Sequence, residues 1–221
     1  MKEFTTVRFD PAQCRKELDC LQTLLASKRE LSERDDLQPL FKEFPQLTAF
    51  IGTSFPNIGP ANRLAYEFQV FGDYSADIVI GNFERKSFCA IELEDARPNS
   101  VFNKLDGKAT SEWGRRFEHG FGQLVDWFFS FDDHKNSAGF TKHFGYGHIE
   151  FFGMLLIGRS AHISDHDRTR LRWRSDRVTV NTHRVYCRTF DELYDDLNSD
   201  WRLLSLMSQK LSGGETDIGP S

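Results

Sequence analysis

Two short apolar segments that carry carboxylates near one end constrain most what this chain can fold into. Residues 76–80 read ADIVI and residues 88–94 read FCAIELE, and both patterns are typical of buried β-strands. Charge on a strand that is buried on both faces is costly unless it is paired or bound to a cation. Asp77, Glu92 and Glu94 therefore need an explanation, and a divalent metal ion is the simplest one.

The pairing of the two strands decides whether these acids meet. If the strands are antiparallel about a turn at 81–86, residue i faces roughly 168 − i, and Asp77 lies opposite position 91, beside Glu92. Period-two alternation places Glu92 and Glu94 on one face of the sheet, and diagonal cross-strand neighbours lie within ~8 Å. The three acids are then able to surround one Mg²⁺ or Mn²⁺ ion, which prefers oxygen ligands.

The same acids have a plainer alternative. Glu92 and Glu94 would line an exposed edge of the sheet and form ion pairs with Arg97 or Lys104. The apolar residues that surround both acidic positions disfavour this exposed arrangement.

Composition bounds the class of protein. The 221 residues are enough for one well-buried domain, and 21 phenylalanines supply apolar material for its core. No apolar run approaches ~18 residues, so the sequence predicts no membrane span. The N-terminal residues lack the apolar core of a signal peptide, and the four cysteines show no CxxC spacing. We therefore expect reduced thiols in a cytoplasmic protein.

Charge is distributed unevenly along the chain. The net charge of −5, taken alone, argues against binding to nucleic acid. Residues 159–188, however, contain eight arginines and three aspartates, and a local basic patch matters more than net charge for contact with phosphates. The alternative is an ordinary solvated charged face with i,i+4 ion pairs.

The order of the predicted elements indicates an α/β fold. Asp10 and Ser32 are typical N-caps of two helices, and three strand-like runs follow as an antiparallel meander. The elements predicted next are a helix at about 111–131, a polar loop at 132–147, a central strand at 150–157, an arginine-rich helix after Ser164, two short strands at 177–180 and 184–187, and two helices that end near 197 and 211. We expect a mixed central β-sheet flanked by helices.

Three regions are predicted along the chain. Residues 1–30 form an N-terminal helical extension, and residues 31–211 form the main domain. Residues 212–221 are rich in glycine and serine and are predicted to be a disordered tail.

The acidic core resembles a known class of nuclease. An aspartate on one strand, an apolar strand that ends Glu-x-Lys and a following helix form the PD-(D/E)XK pattern. More narrowly, Asp77, Glu92 and Glu94 followed by VF (101–102), QLVDW (123–127) and VYCRTFDEL (185–193) resemble the nuclease domain of Shedu anti-phage proteins. The resemblance spans roughly residues 30–200.

This resemblance implies a restriction-endonuclease-like core and a specific chemistry. The expected activity is Mg²⁺-dependent (or Mn²⁺-dependent) hydrolysis of DNA phosphodiesters in bacterial anti-phage defence, by a protein that forms homo-oligomers. Asp77, Glu92 and Glu94 would bind the metal and act in catalysis, and Gln123 would help to position a phosphate or water. Gln123 shares a helical face with His119 and Trp127, and the alternative is that these two are ordinary packing residues.

One position departs from the family pattern. The family lysine, two residues after the strand glutamate, is Glu94 in this chain. Some restriction endonucleases with this fold carry glutamate there and still cleave DNA. Our hypothesis is that Glu94 is a metal ligand or general base, and that Lys104 or Lys108 supplies the missing cation. Otherwise, the domain is a catalytically inactive nuclease-like module that binds nucleic acid or serves in assembly.

Further residues are predicted around this core. Glu33 would be an accessory acid by the resemblance, but a glutamate at a helix start is also a good partner for the helix dipole. Contacts with nucleic acid are predicted for five arginines: Arg97, Arg115, Arg116, Arg168 and Arg172.

Overall fold

A computed structural model describes residues 3–71, 74–145 and 147–213, and only the backbone for 208–213. The helices are α1 (Pro11–Ser27), α2 (Gln38–Glu43), α3 (Pro45–Phe50), α4 (Arg115–His134), α5 (Ala138–Phe144), α6 (Asp165–Arg177) and α7 (Phe190–Gly213). The strands are β1 (Thr5–Thr6), β2 (Arg63–Gln69), β3 (Ser75–Asn82), β4 (Ser87–Leu93), β5 (Phe102–Asn103), β6 (Glu112–Trp113), β7 (Glu150–Leu156), β8 (Thr179–Val180) and β9 (His183–Arg188).

Capping residues set the helix starts much as the sequence predicts. The Asp10 carboxylate accepts a hydrogen bond from the Gln13 backbone N–H at 3.1 Å, and α1 begins at Pro11. Ser32 caps a five-residue π-helical turn, Glu33–Leu37, which leads directly into α2. This wider turn brings Glu33 towards the sheet, where its side chain meets the acidic residues described below.

The mixed α/β sheet expected from the sequence is confirmed. Its described strands run in the order β1-β2-β3-β4-β7-β9-β8, with an antiparallel meander from β2 to β4. β7 then pairs parallel to β4, and β9 pairs parallel to β7. Because parallel neighbours need a crossover, α4 and α5 lie between β4 and β7 in the chain.

The register between β3 and β4 differs by one position from the prediction. Ile78 pairs with Ile91 and Asn82 with Ser87, so paired residues sum to 169 rather than 168. The reason is the turn, which spans four residues, 83–86. Continuing this register places Asp77 directly opposite Glu92. Both therefore project from the same face of the sheet, whereas the predicted pairing of Asp77 with position 91 would have placed Asp77 and Glu92 on opposite faces.

Two apolar cores, one on each face, bury the central strands. Cys89 and Ile91 project into a core formed with α1, α2, α3 and α7. Phe88 and Ala90 project into the other core, formed with α4, α5 and α6. By alternation, Glu92 lies on the side of α4. Every residue of β4 is buried, which explains its almost continuous apolar sequence.

Two predicted elements differ in the structure. The region expected to be a polar loop at 132–147 contains α5, whose Phe140 and Phe144 are buried in the second core. The two expected C-terminal helices form one helix, α7. Of the tail predicted at 212–221, residues 214–221 lie outside the described residues. No helix in the described part of the chain has the length and apolar character that a membrane span requires.

Candidate functional site

Five carboxylates interact with one another around the C-terminal end of β4. They belong to Glu33 of the π-helical turn, Asp77 of β3, Glu92 of β4, and Glu94 and Asp95 immediately after it. The alternative of an exposed sheet edge is wrong, because Glu92 is 7% exposed and Glu94 and Asp95 are each 3% exposed. The structure thus brings together the three sequence-predicted metal ligands and the predicted accessory acid, and adds Asp95.

Asp77 is held in place by two neutral donors. Its Oδ2 accepts the Leu93 backbone N–H at 2.9 Å, and its Oδ1 accepts the Gln38 side-chain amide at 3.1 Å. The same Gln38 Nε2 donates to Glu33 Oε1 at 3.0 Å, so one amide bridges two acids. Sequence reasoning missed Gln38, which lies in the first turn of α2 and carries no motif of its own.

Glu94 is bound by two side chains of α4. Its Oε2 lies 3.0 Å from Arg116 Nη1, and its Oε1 lies 3.0 Å from His119 Nδ1. Arg116 also reaches Asp95, with Nη2 3.0 Å from Oδ2, and lies 3.8 Å from Glu33 Oε2. Arg116 is therefore the cation at the centre of this cluster.

Asp95 connects the cluster to its surroundings. Its Oδ1 accepts the Glu33 backbone N–H at 2.8 Å. Its Oδ2 has no hydrogen bond of good geometry within the described residues, but lies 3.3 Å from Arg97 Nε as well as near Arg116. The sequence signal that would have found Asp95 is its position directly after Glu94, where the buried strand ends.

The cation beside Glu94 differs from the one predicted. Lys108 forms a surface ion pair with Glu112, and Lys104 lies on an exposed loop beside a separate pocket. Within the described chain, neither lysine contacts the carboxylates. Arg116, predicted only as a nucleic-acid contact, occupies that role, because the first turn of α4 lies directly against the end of β4.

We expect Arg116→Ala to destabilise the protein. The substitution would leave Glu94 and Asp95 buried without their main cation, and we expect a loss of about 2–3 kcal/mol in the free energy of unfolding. Arg115→Ala is the matched control, since Arg115 is exposed and forms no ion pair among the described residues, so its effect should stay within about 0.5 kcal/mol. Urea unfolding of the metal-free protein measures both. Equal stability of the two variants would contradict the role given to Arg116.

Crowding of the acids raises the pKa of several carboxyl groups. Burial raises the pKa of Glu92 to about 10, and the charges of Asp77, Glu94 and Glu33 add to the effect, together with a hydrogen bond to Asp77. Burial and the neighbouring acids raise the pKa of Glu33 to about 7. Burial also raises the pKa of Asp77, against the opposing bond from Leu93. Without another cation, Glu92 therefore holds a proton at neutral pH.

The middle of α4 covers the site. A Cβ on Gly120 would lie 2.7 Å from Leu155 Cδ1 and 3.2 Å from Glu94 Cγ, so glycine is what lets the helix approach this closely. One turn further, Gln123 Oε1 is buried with no hydrogen-bond partner in the described structure, and the same holds for Trp127 Nε1. Buried unpartnered polar atoms are uncommon and call for a ligand or water. Gln123 thus presents a free acceptor on the helix that covers the acids.

The cluster fits a divalent cation in donor type and charge, although not as a preformed cage. Mg²⁺ and Mn²⁺ favour carboxylate oxygens. In the described part of the chain, the ion pairs of the five acids involve only Arg116, Arg97 and the His119 ring. Within the described ranges, no three His, Cys, Asp or Glu side chains are arranged so that they could already hold a metal ion. Binding would require Glu92 to lose its proton and Glu94 to exchange Arg116 for the ion.

The predicted DNA-binding arginines fall into two groups. Arg97 and Arg115 lie beside the acidic cluster, at the loop after β4 and the start of α4. Arg168 and Arg172 instead line a pocket of about 440 Å³ together with the acids of α7. Among the described residues, five of the eight arginines in 159–188 form ion pairs with carboxylates, none of them at the i,i+4 spacing that the alternative predicted: Arg159, Arg170, Arg174, Arg184 and Arg188.

The fold and the site define an α/β protein with a carboxylate-rich centre at the C-terminal end of the central strand β4 of a mixed sheet. A protein-family model described as Shedu protein SduA, C-terminal, matches residues 30–194, from just after α1 into the first turns of α7. The match covers more than half of the chain, and the chain therefore belongs to this family. No curated protein matches the sequence.

Proposed function

We propose that this protein is a metal-dependent nuclease of the PD-(D/E)XK class that acts on DNA in anti-phage defence. Family membership suggests the defence role. The observation that carries the chemistry is the buried acidic cluster, in which Glu92 lies opposite Asp77 with more carboxylates than cations around them. Such an excess of buried negative charge is costly unless a metal ion or a proton compensates it. We also propose that it acts in the cytoplasm as a homo-oligomer.

We assign the acidic residues of the site to metal binding and to the negative charge around the metal. Asp77, Glu92 and Glu94 would hold Mg²⁺ or Mn²⁺, and Glu33 with Asp95 would add negative charge around them. Such an ion, when bound, polarises a phosphoryl oxygen and makes an attacking water more acidic. The hydrogen bonds from Leu93 and Gln38 orient Asp77 before any substrate arrives.

Other groups would meet the nucleic acid. Arg116, released from Glu94, stays within reach of a phosphate beside the acids and takes the place of the family lysine. His119, whose side chain is 67% exposed, is placed to transfer a proton to or from solvent. The free Gln123 oxygen would accept a hydrogen bond from a water or a substrate group.

A cleavage assay tests this proposal. Supercoiled plasmid and linear duplex are incubated with the protein in Mg²⁺, in Mn²⁺ and in EDTA. We expect cleavage that requires the metal and that Asp77→Asn abolishes, because the amide removes one ligand charge. Cleavage that persists in EDTA or in the Asp77 variant would contradict the assignment.

A second candidate function rests on a specific contact. Glu94 stands where the family has lysine and is already paired with Arg116 and in contact with His119. That ion pair favours a silent nuclease-like module that binds nucleic acid or serves in assembly. If a separate binding measurement shows that the protein binds Mg²⁺ or Mn²⁺ and the cleavage assay shows no cleavage, this alternative is selected.

A further inference from the structure

An open pocket on α6 combines an exposed aromatic ring with cationic side chains. Its volume is about 370 Å³, and it is lined by Trp113, His166, Thr169, Arg170 and Trp173. Trp173 is 63% exposed. Tryptophan is rarely left so exposed without a partner, because its ring buries a large apolar area on binding.

The second ring of this pocket is held rigidly. Trp113 stacks on Phe117 with ring centroids 4.5 Å apart and planes inclined by 23°, and lies equally close to Phe102. The guanidinium groups of Arg170 and Arg174 lie 5.3 and 4.7 Å from the centroid of Trp113, and Arg170 is fixed by Asp167 at 2.8 Å. Trp113 is therefore a packed, rigid wall of the pocket. An exposed indole such as that of Trp173 beside a rigid wall and a cation is a suitable platform for a nucleobase.

An adjoining pocket supplies groups for a phosphate. It measures about 380 Å³, shares His166 with the first, and adds Lys104, His162 and Asn99. The Asp167 carboxylate in this pocket already accepts hydrogen bonds from the hydroxyl groups of Ser111 and Ser164 and forms an ion pair with Arg170. Within the described chain, no carboxylate pairs with Lys104. The two pockets together present the exposed Trp173 indole, Arg170 and Lys104.

Both pockets lie close to the acidic cluster. Pro98 lines the second pocket and is three residues from Asp95, and Trp113 is three residues before Arg116. Three residues span at most ~11 Å between Cα atoms. A chain seated in these pockets would therefore pass beside the carboxylates.

We propose that this surface binds single-stranded DNA, with a base stacked on Trp173 and phosphates held by Lys104 and His166. A double helix hides its base faces, whereas an unpaired strand or end exposes them to aromatic side chains. This inference rests on the proposed function and narrows its substrate to DNA with an unpaired segment near the cleavage site.

Binding measurements without metal test the subsite apart from cleavage. A fluorescent oligothymidylate and a blunt duplex are titrated with the full chain in EDTA. We expect Trp173→Ala to weaken binding of the single strand by about 5- to 150-fold, while Trp173→Phe retains most of it and duplex binding changes little. Phe129→Ala is the matched control, because Phe129 is 70% exposed and lines neither pocket, and it should bind like wild type.

The salt dependence tests the role of Lys104 at the phosphate. A cationic side chain that neutralises one phosphate of a single strand adds about 0.7 to the slope of log affinity against log salt. We therefore expect Lys104→Ala to reduce this slope by about that amount. Trp173→Ala should leave the slope unchanged, because stacking neutralises no phosphate.

The outcomes separate this inference from the proposed function. Equal single-strand affinity of wild type, Trp173→Ala and Phe129→Ala overturns the stacking subsite, even if the protein cleaves duplex DNA. An equal loss of duplex binding in Trp173→Ala also overturns it. Selective loss of single-strand binding supports the subsite, even if no metal-dependent cleavage is found.

Discussion

Replacing Glu92 by glutamine is expected to abolish DNA cleavage while leaving the fold intact. Glutamine has the shape of the protonated glutamate but cannot become an anionic ligand, so the site loses a charge that the metal requires. Metal-ion stabilisation of a reacting phosphate is worth several kcal/mol, and each 1.36 kcal/mol is a factor of ten in rate. We expect the rate to fall by about a thousandfold or more.

A second buried glutamate provides the control for this experiment. Glu17 of α1 is 3% exposed, accepts the Leu47 backbone N–H at 2.7 Å and lies outside the acidic cluster. Glu17→Gln, checked for folding by its melting temperature, should cleave at nearly the wild-type rate. If Glu92→Gln cleaves as fast as Glu17→Gln, Glu92 is not a metal ligand in the reaction.

The same Glu92 substitution should stabilise the metal-free protein at neutral and alkaline pH. The pKa of Glu92 rises from its ordinary value of 4.5 in the unfolded chain to about 10 in the folded one. The folded protein then retains a proton that the unfolded chain releases. The stability contributed by protonated Glu92 is therefore complete below pH 4.5 and is lost as the pH rises towards 10. Glutamine carries no such proton.

Thermal melting against pH measures this effect. In EDTA at pH 8, we expect Glu92→Gln to melt about 5 °C or more above wild type, with a flatter decline at higher pH. Glu112→Gln, an exposed control in a surface ion pair, should follow the wild-type curve. Mg²⁺ should raise the melting temperature of wild type more at pH 8 than at pH 6, because it favours the ionised cluster. A wild-type curve parallel to that of Glu92→Gln would contradict the raised pKa.

The sequence predicted most of the fold, because strands, helices and helix caps leave local patterns in the sequence. The apolar strand-like runs predicted the meander, and the caps at Asp10 and Ser32 predicted the starts of two helical segments; the mixed sheet is confirmed. The register was off by one because it depends on the length and geometry of the turn as well as on the apolar pattern. The helix α5 was missed because it is only seven residues long and lies within a polar stretch, although Ser137 caps its start and Gly145 ends it; packing of Phe140 and Phe144 stabilises it.

The site was predicted for the strand residues but not for its partners. Asp77, Glu92 and Glu94 carry a signal because acids are unusual within apolar runs. Arg116 and Gln38 look ordinary in their helices, and they reach the cluster only because α4 packs against the end of β4 and the start of α2 lies beside Asp77 of β3. Such contacts between distant segments depend on tertiary packing and leave no local pattern, which is why the hypothesis placed the cation on Lys104 or Lys108.

Anomalous diffraction from crystals soaked in Mn²⁺ tests the central claim most directly. We predict one strong peak within about 2.5 Å of carboxylate oxygens of Asp77, Glu92 and Glu94, with Arg116 moved away from Glu94. A crystal in which Mn²⁺ binds elsewhere or not at all, while Arg116 remains paired with Glu94, would contradict the claim that these acids form a metal centre.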